Sequence, residues 1–352
     1  MSWTRPHVLR GVAIAIPVIL SISLISCRTS EEPDGDPDVR RPARQGLRVG
    51  FIDGRGELVI PAEFDYGSEP SEGLIAVRKG KVWGYIDPAG NWIVDARFDH
   101  AEPFHEGRAA VGVGGEAGYI DKTGEMVIEP RFEGAQRFSQ GLAAVKIEGK
   151  WGFIDESGEM VIEPRFAEAR PFAENRAAVS LAAEEGDGEP AGGGLWGFVD
   201  PSGEMVIEPL YADAYTFAEG MAAVQMPDGT WGFLGPDGDF ALEPTYYGAA
   251  SFSNGLAPVR IGAKWGYVDL QGDRVIEPRF RKARAFEEGL APVKVRGEGW
   301  GYVDRQGNLA IEPRFERADP FDGGLALVRE GPEGYGYLNA RGEMVWGGAE
   351  GE

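Results

Sequence analysis

From residue 47 to residue 346 the apolar positions fall in short runs of strand formers separated by turn residues, with no sustained helical period. Lys150–Phe166, KWGFIDESGEMVIEPRF, is representative. WGFID is an aromatic and aliphatic run that ends at a polar residue. Asp155-Glu156-Ser157-Gly158 is a turn signal, because Asp hydrogen-bonds backbone two residues on and Gly accepts a positive φ. EMVIEP is a second run, and its proline lacks a ladder donor and predicts the strand's end. The pattern predicts a tight hairpin.

The hairpin recurs. With the glycine of the Trp-Gly pair as origin, it falls at Gly50, Gly84, Gly118, Gly152, Gly197, Gly232, Gly266, Gly301 and Gly336. The spacing is 34 or 35 residues, with one interval of 45. Six origins follow a tryptophan: Trp83, Trp151, Trp196, Trp231, Trp265 and Trp300. Six residues after every origin stands another glycine, as at Gly158. Each unit closes on G-L-A-x-V, as in Gly141–Val145, which predicts one more strand, and the stretch between proline and that strand leaves room for a short fourth. A unit this small buries too little surface to fold alone, so the units must stack. The long interval contains Ser180–Leu195, a predicted exposed hairpin loop.

The alternation also constrains packing. In WGFID, Trp151 and Phe153 take one face and Gly152 and Ile154 the other. In LAAVKI, Leu142 and Ala144 oppose Ala143, Val145 and Ile147. Apolar residues on both faces predict sheets covered on both sides, as in propeller blades. The expectation is an all-β chain of three- or four-stranded antiparallel units, β-propeller-like with about eight blades. An open β-superhelix is the alternative, because Val49–Ile60 is one hairpin more than the count of valine strands and suits a cap.

The pattern WG-[FY]-[IV]-D-x-x-G-x-x-[VI]-I-E-P-R-[FY]-x-x-A-x-x-F-x-x-G-L-A-x-V resembles the bacterial WG, or KWG, repeat over residues 47–346. Departures are local: Val49, Ala117 and Tyr335 replace the tryptophan, and Gly235 and Asn339 replace the turn aspartate. The resemblance implies a repeat scaffold and no particular chemistry.

Residues 1–26 have another character. Arg5 and Arg10 precede an apolar run from Gly11 to Ser26, shorter than the roughly 20 residues of a spanning helix. This reads as a signal peptide. It ends in Leu24-Ile25-Ser26-Cys27, which resembles a bacterial lipobox, with the chain's one cysteine as the lipidated residue. The expected domains are a signal peptide at 1–26, a lipidated Cys27 with a disordered tether at 27–46, and the repeat domain at 47–352 containing the flexible 180–195 loop. Arg28 after the cysteine implies outward sorting to the outer membrane in a cell that has one.

The net charge of -22 argues against nucleic acid, whose phosphates it would repel. His100 and His105 lie in one unit with no cysteine near, so no metal site is assigned. No serine sits in a nucleophile elbow and no glycine-rich loop opens a helix. Glu129, Glu163, Glu208, Glu243, Glu277 and Glu312 share one repeat position, and Arg97, Arg131, Arg165, Arg279 and Arg314 share another two residues later, which predicts a ladder of Glu–Arg pairs. The tryptophans are assigned to the core, their glycines leaving room for a neighbouring ring.

The expected function is therefore a non-catalytic, monomeric cell-envelope lipoprotein without cofactor, held to the membrane by its lipid and binding a partner protein or envelope glycan. A purely structural spacer and an enzyme with a site in the non-repeated loops are the alternatives.

Overall fold

The computed structural model describes residues 35–181, 194–331 and 334–347. The predicted signal peptide, Cys27 and most of the 180–195 loop lie outside them. The described chain is all β, with nine antiparallel sheets and no α-helix. Blade 1 has three strands, β1 (Arg41–Gln45), β2 (Arg48–Ile52) and β3 (Leu58–Phe64). Blade 2 has four in sequential order, β4 (Tyr66–Gly67), β5 (Ile75–Lys79), β6 (Val82–Ile86) and β7 (Trp92–Phe98). Blades 3 to 9 repeat that order, ending at Met344–Gly347.

Nine blades, rather than about eight, follow from one strand. Residues 41–45, RPARQ, read as tether because they are polar and contain proline, yet they pair in full register with β2, from Arg41 opposite Ile52 to Gln45 opposite Arg48. This strand completes the surplus Val49–Ile60 hairpin, so residues 41–45 belong to the repeat domain and not to the expected 27–46 tether.

The third and fourth strands meet at a bulge. Trp151 pairs with Phe166 and Phe153 with Ile162, so Glu163, Pro164 and Arg165 oppose a single residue. The proline sits inside the strand Met160–Phe166 and does not end it, because a bulge needs no donor there. The bulge also explains the Trp-Gly glycine. A Cβ on Gly152 would lie 2.4 Å from the Ile162 carbonyl oxygen and 2.8 Å from the Pro164 nitrogen, and the same holds at Gly84, Gly118, Gly197, Gly266 and Gly301. The space is taken by backbone, not by a neighbouring ring.

The core lies between blades. Blade 4 directs Ala144, Phe153, Ile162 and Phe166 at Ala169, Phe172, Ala177, Val179 and Val199 of blade 5. Its other face sends Phe138, Ala143, Val145 and Ile154 against Ala110, Tyr119, Ile128 and Phe132 of blade 3. Edge-on or tilted aromatic pairs recur at the junctions from blade 2 to blade 9, such as Phe153–Phe172 at 4.9 Å and Tyr302–Phe321 at 4.9 Å. A ninth core joins the ends: Ala43 and Ile52 of blade 1 pack with Leu325 and Tyr337 of blade 9. The ring is thus closed by face-to-face packing with no shared strand, and the open superhelix is excluded.

Candidate functional site

Most polar groups of the repeat are occupied in building it. In the D-x-x-G turn the Asp155 Oδ1 accepts the Ser157 amide at 2.9 Å, the Glu159 amide at 3.0 Å and the Ser157 hydroxyl at 2.7 Å. The hydroxyl bond first, then the amides, hold this carboxyl below its usual range, and Asp121 and Asp200 follow the same pattern with Thr123 and Ser202. The turn glycine then docks on the preceding blade: a Cβ on Gly158, at φ +87°, would lie 3.1 Å from Ile128.

The predicted Glu–Arg ladder is absent. Arg131 instead donates to the Gly158 carbonyl of the next blade at 2.6 Å and covers Phe132 at 5.0 Å, and Arg97, Arg165, Arg279 and Arg314 do likewise on Gly124, Gly203, Gly307 and Gly342. The six glutamates face solvent because the bulge aims them outward while it aims the arginines along the blade. Among the described residues only Glu277 of the six has an ion pair, with Arg274 at 3.9 Å.

Another set of carboxylates joins the blades. The first and second strands of a blade meet in a two-residue turn, such as Glu72-Gly73 between Ser71 and Leu74. The first turn residue adopts a positive φ although it is not glycine: 51° at Glu72, 52° at Glu106, 50° at Glu174, 55° at Glu219. Its side chain accepts amides from the next blade's turn. Glu106 takes Gln140 at 2.7 Å and Gly141 at 2.9 Å, Glu219 takes Gly255 at 2.9 Å, and Glu288 takes Gly324 at 2.9 Å. The sequence reading missed this ring. The signal was a Glu, Gln or Asn before the glycine of G-L-A-x-V.

At blade 9 the turn is Gly323-Gly324, without a side chain to reach onward. Arg41 of β1 fills the gap. Its side chain is 8% exposed, and it bridges Asp322 of blade 9 at 3.0 Å and Glu69 of blade 2 at 2.7 Å. Burial, only partly offset by Arg41, leaves the Glu69 carboxyl above its usual range.

The tryptophans stand in rows across the blades. In blade 2 the row is Tyr66, Arg78, Trp83 and Phe98; in blade 4 it is Gly134, Lys146, Trp151 and Phe166. Arg78 covers Trp83 at 5.8 Å and Lys146 covers Trp151 at 5.9 Å. Trp231 and Trp300 are buried, and Trp83, Trp151, Trp196 and Trp265 half-buried.

Two cavities open in blades that lack the tryptophan. One, of about 290 Å³, surrounds Ala117, Gly112 and His100 in blade 3. The other, of about 590 Å³, lies at the seam, lined by Pro42, Arg44, Gly46 and Val49 of blade 1, Tyr66 and Gly67 of blade 2, and Arg317, Leu327, Tyr335 and Trp346 of blade 9. Val49 and Tyr335 stand there in place of tryptophan, and among the described residues blade 1 has no first strand. His100, in the first strand of blade 3, bonds Glu102 at 2.7 Å, while His105 flanks the two-residue turn Glu106-Gly107 and bridges to Arg108. Burial, and then Arg137, lower the His105 pKa. No group of three metal-capable side chains occurs among the described residues. None of their helices is long and apolar enough to cross a membrane.

This architecture defines a β-propeller whose blades are copies of one sequence repeat. The chain belongs to the family of WG-containing repeat proteins, whose repeat matches residues 50–83, 83–116, 118–151, 151–182, 196–230, 231–265, 265–298 and 300–331. No curated protein matches it in sequence. Among solved structures it is similar to a eukaryotic initiation factor, at 11% identity and TM-score 0.62, over 88% of this chain and 96% of that one. At that identity the likeness concerns the fold alone. The computationally designed Ika8 protein, at 11% identity and TM-score 0.46 over 87% and 98% of the two chains, and apo AztD from Citrobacter koseri, at 14% and 0.46 over 89% and 95%, are more distant.

Proposed function

We propose that the protein is a non-catalytic, monomeric binding scaffold of the cell envelope, lipidated at Cys27, with the propeller holding a partner protein or an envelope glycan. The carrying observation is the use of the polar groups. The turn aspartates, the bulge arginines and the turn glutamates are engaged within and between blades. Open space lined by ring faces and guanidinium groups occurs where the repeat departs from its pattern, at the seam. Recognition placed on the irregular parts of a rigid scaffold is the common division of labour in such folds.

The anchor rests on the sequence of residues 1–27: a basic start, a short apolar run and the lone cysteine behind Leu24-Ile25-Ser26. A lipid with more than one chain provides the stable membrane retention that a single chain does not. Intact-mass measurement tests it, with Cys27 as a diacylated first residue expected and an unlipidated cysteine overturning the localisation. The full chain, solubilised in mild detergent, should retain an envelope protein or peptidoglycan fragments. Retention of neither would overturn the binding role and leave the spacer.

A further inference from the structure

We infer that the seam is a strand-addition site for an extended, acidic peptide segment of a partner protein. The inference rests on the binding role proposed above and names the surface and the chemistry of the partner.

Blades 2 to 9 each begin with a short first strand that pairs with the second. Two of its flanking amides recur: Asp65 donates to the Arg78 carbonyl at 2.8 Å and Ser68 to the Ala76 carbonyl at 2.9 Å, with equivalents in the other blades at Gly112 and Ala110, Arg260 and Pro258, and Arg329 and Leu327. In blade 1 the matching carbonyls belong to Arg44 and Pro42, since Arg44 faces Val49 as Arg78 faces Trp83. Among the described residues no first strand covers them. The Pro42 carbonyl accepts the Tyr337 hydroxyl at 3.2 Å instead, and among the described residues no amide reaches the Arg44 carbonyl. Among the described residues the edge of β1 is therefore open, and edges are where peptides add.

The 590 Å³ cavity lies along this edge, between the first strands of blades 9 and 2, represented by Arg317 and Tyr66. It provides both requirements of strand addition: the uncovered Arg44 carbonyl for the backbone, and side-chain space bounded by Leu327, Tyr335 and Trp346. Its charge selects the partner. In a chain of net charge -22 the lining contains two arginines and no acid. Arg317 is held by Asp319 at 3.1 Å, whereas Arg44 is exposed and has no ion pair among the described residues. An incoming carboxylate is the complement.

A display library of random octapeptides, panned on the detergent-solubilised full chain and counter-selected on its Arg44→Glu variant, tests the inference. The expected result is enrichment of acid-rich sequences that bind Arg44→Glu at least tenfold more weakly, Arg44→Ala several-fold more weakly, and the wild type at least tenfold more weakly once alternate amides are N-methylated. Arg44 is exposed, so both variants should keep the wild-type melting curve. Enriched peptides insensitive to Arg44 and to N-methylation would overturn the seam site and leave the scaffold reading standing. Absence of any enriched peptide would overturn the inference, while retention of a glycan by the full chain would still support the scaffold. Binding seen only after removal of residues 348–352 would make the chain's own acidic end the occupant, which also overturns it.

Discussion

The Tyr337 hydroxyl donates to the Pro42 carbonyl across 295 residues of sequence, at 3.2 Å. At three other junctions the equivalent tyrosine bonds the residue just after the next blade's first strand: Tyr85 bonds Glu102, Tyr267 bonds Arg284 and Tyr302 bonds Asp319, each at 2.8 Å. At the seam the described residues include no such strand, and the hydroxyl reaches one strand deeper. The ring is closed by the device that joins its blades, adapted to a shorter partner.

A chain beginning at Gly46 should therefore be much less stable than one beginning at Gly35. It loses β1, buried Ala43 and Arg41, and with them the ninth core. We expect a loss of about 3 kcal/mol or more, a fall of roughly 5–10 °C in melting temperature. Equal melting curves for the two chains would show that β1 is dispensable.

Arg41→Ala should cost about 2–4 kcal/mol in denaturant unfolding, because it removes the buried guanidinium that joins Asp322 to Glu69. Pairing it with Glu69→Gln should give a coupling of about 1–2 kcal/mol. Additive losses would mean that the bridge contributes nothing beyond packing.

Two glycine substitutions should separate steric contact from backbone conformation. Gly152→Ala drives a Cβ into the Ile162 carbonyl and should cost about 2–3 kcal/mol. Gly149→Ala, at φ +75° with open space around it, should cost about 1–2 kcal/mol. The reverse order would refute the role given to the bulge.

Alkaline pH should unfold the ring. Burial raises the pKa of Tyr85, Tyr119, Tyr267, Tyr302 and Tyr337 above the ordinary value of 10.0. An acid whose folded pKa is raised contributes stability present below its unfolded pKa and lost as pH rises beyond it. Phenolate absorbance should show these tyrosines ionising late and together with loss of the β signal. Ionisation of all the tyrosines near pH 10 in an intact fold would contradict their burial.

Much of this was legible in the sequence because each repeated residue has a local task. Asp155 and Gly158 make a turn whatever surrounds them, and the alternation in WGFID and LAAVKI marks two covered faces. What escaped depends on other blades. RPARQ contains nothing that signals a strand, and it becomes one because β2 would otherwise have an uncovered edge. Arg131 and Glu129 look like a pair by spacing, but the bulge separates their directions. Glu106 reads as a loop acid, and its purpose is visible only beside Gln140 of the following blade.

The turn carboxylates all point the same way, each accepting amides from the blade that follows it in sequence. This gives the circle an order in time as well as in space. During synthesis, which delivers the N-terminal end first, each completed blade waits only for its successor, some 34 residues later, to satisfy its glutamate. Blade 1 alone must wait for the last, presenting Ala43 and Ile52 to solvent, or to a chaperone, until almost the whole chain has emerged.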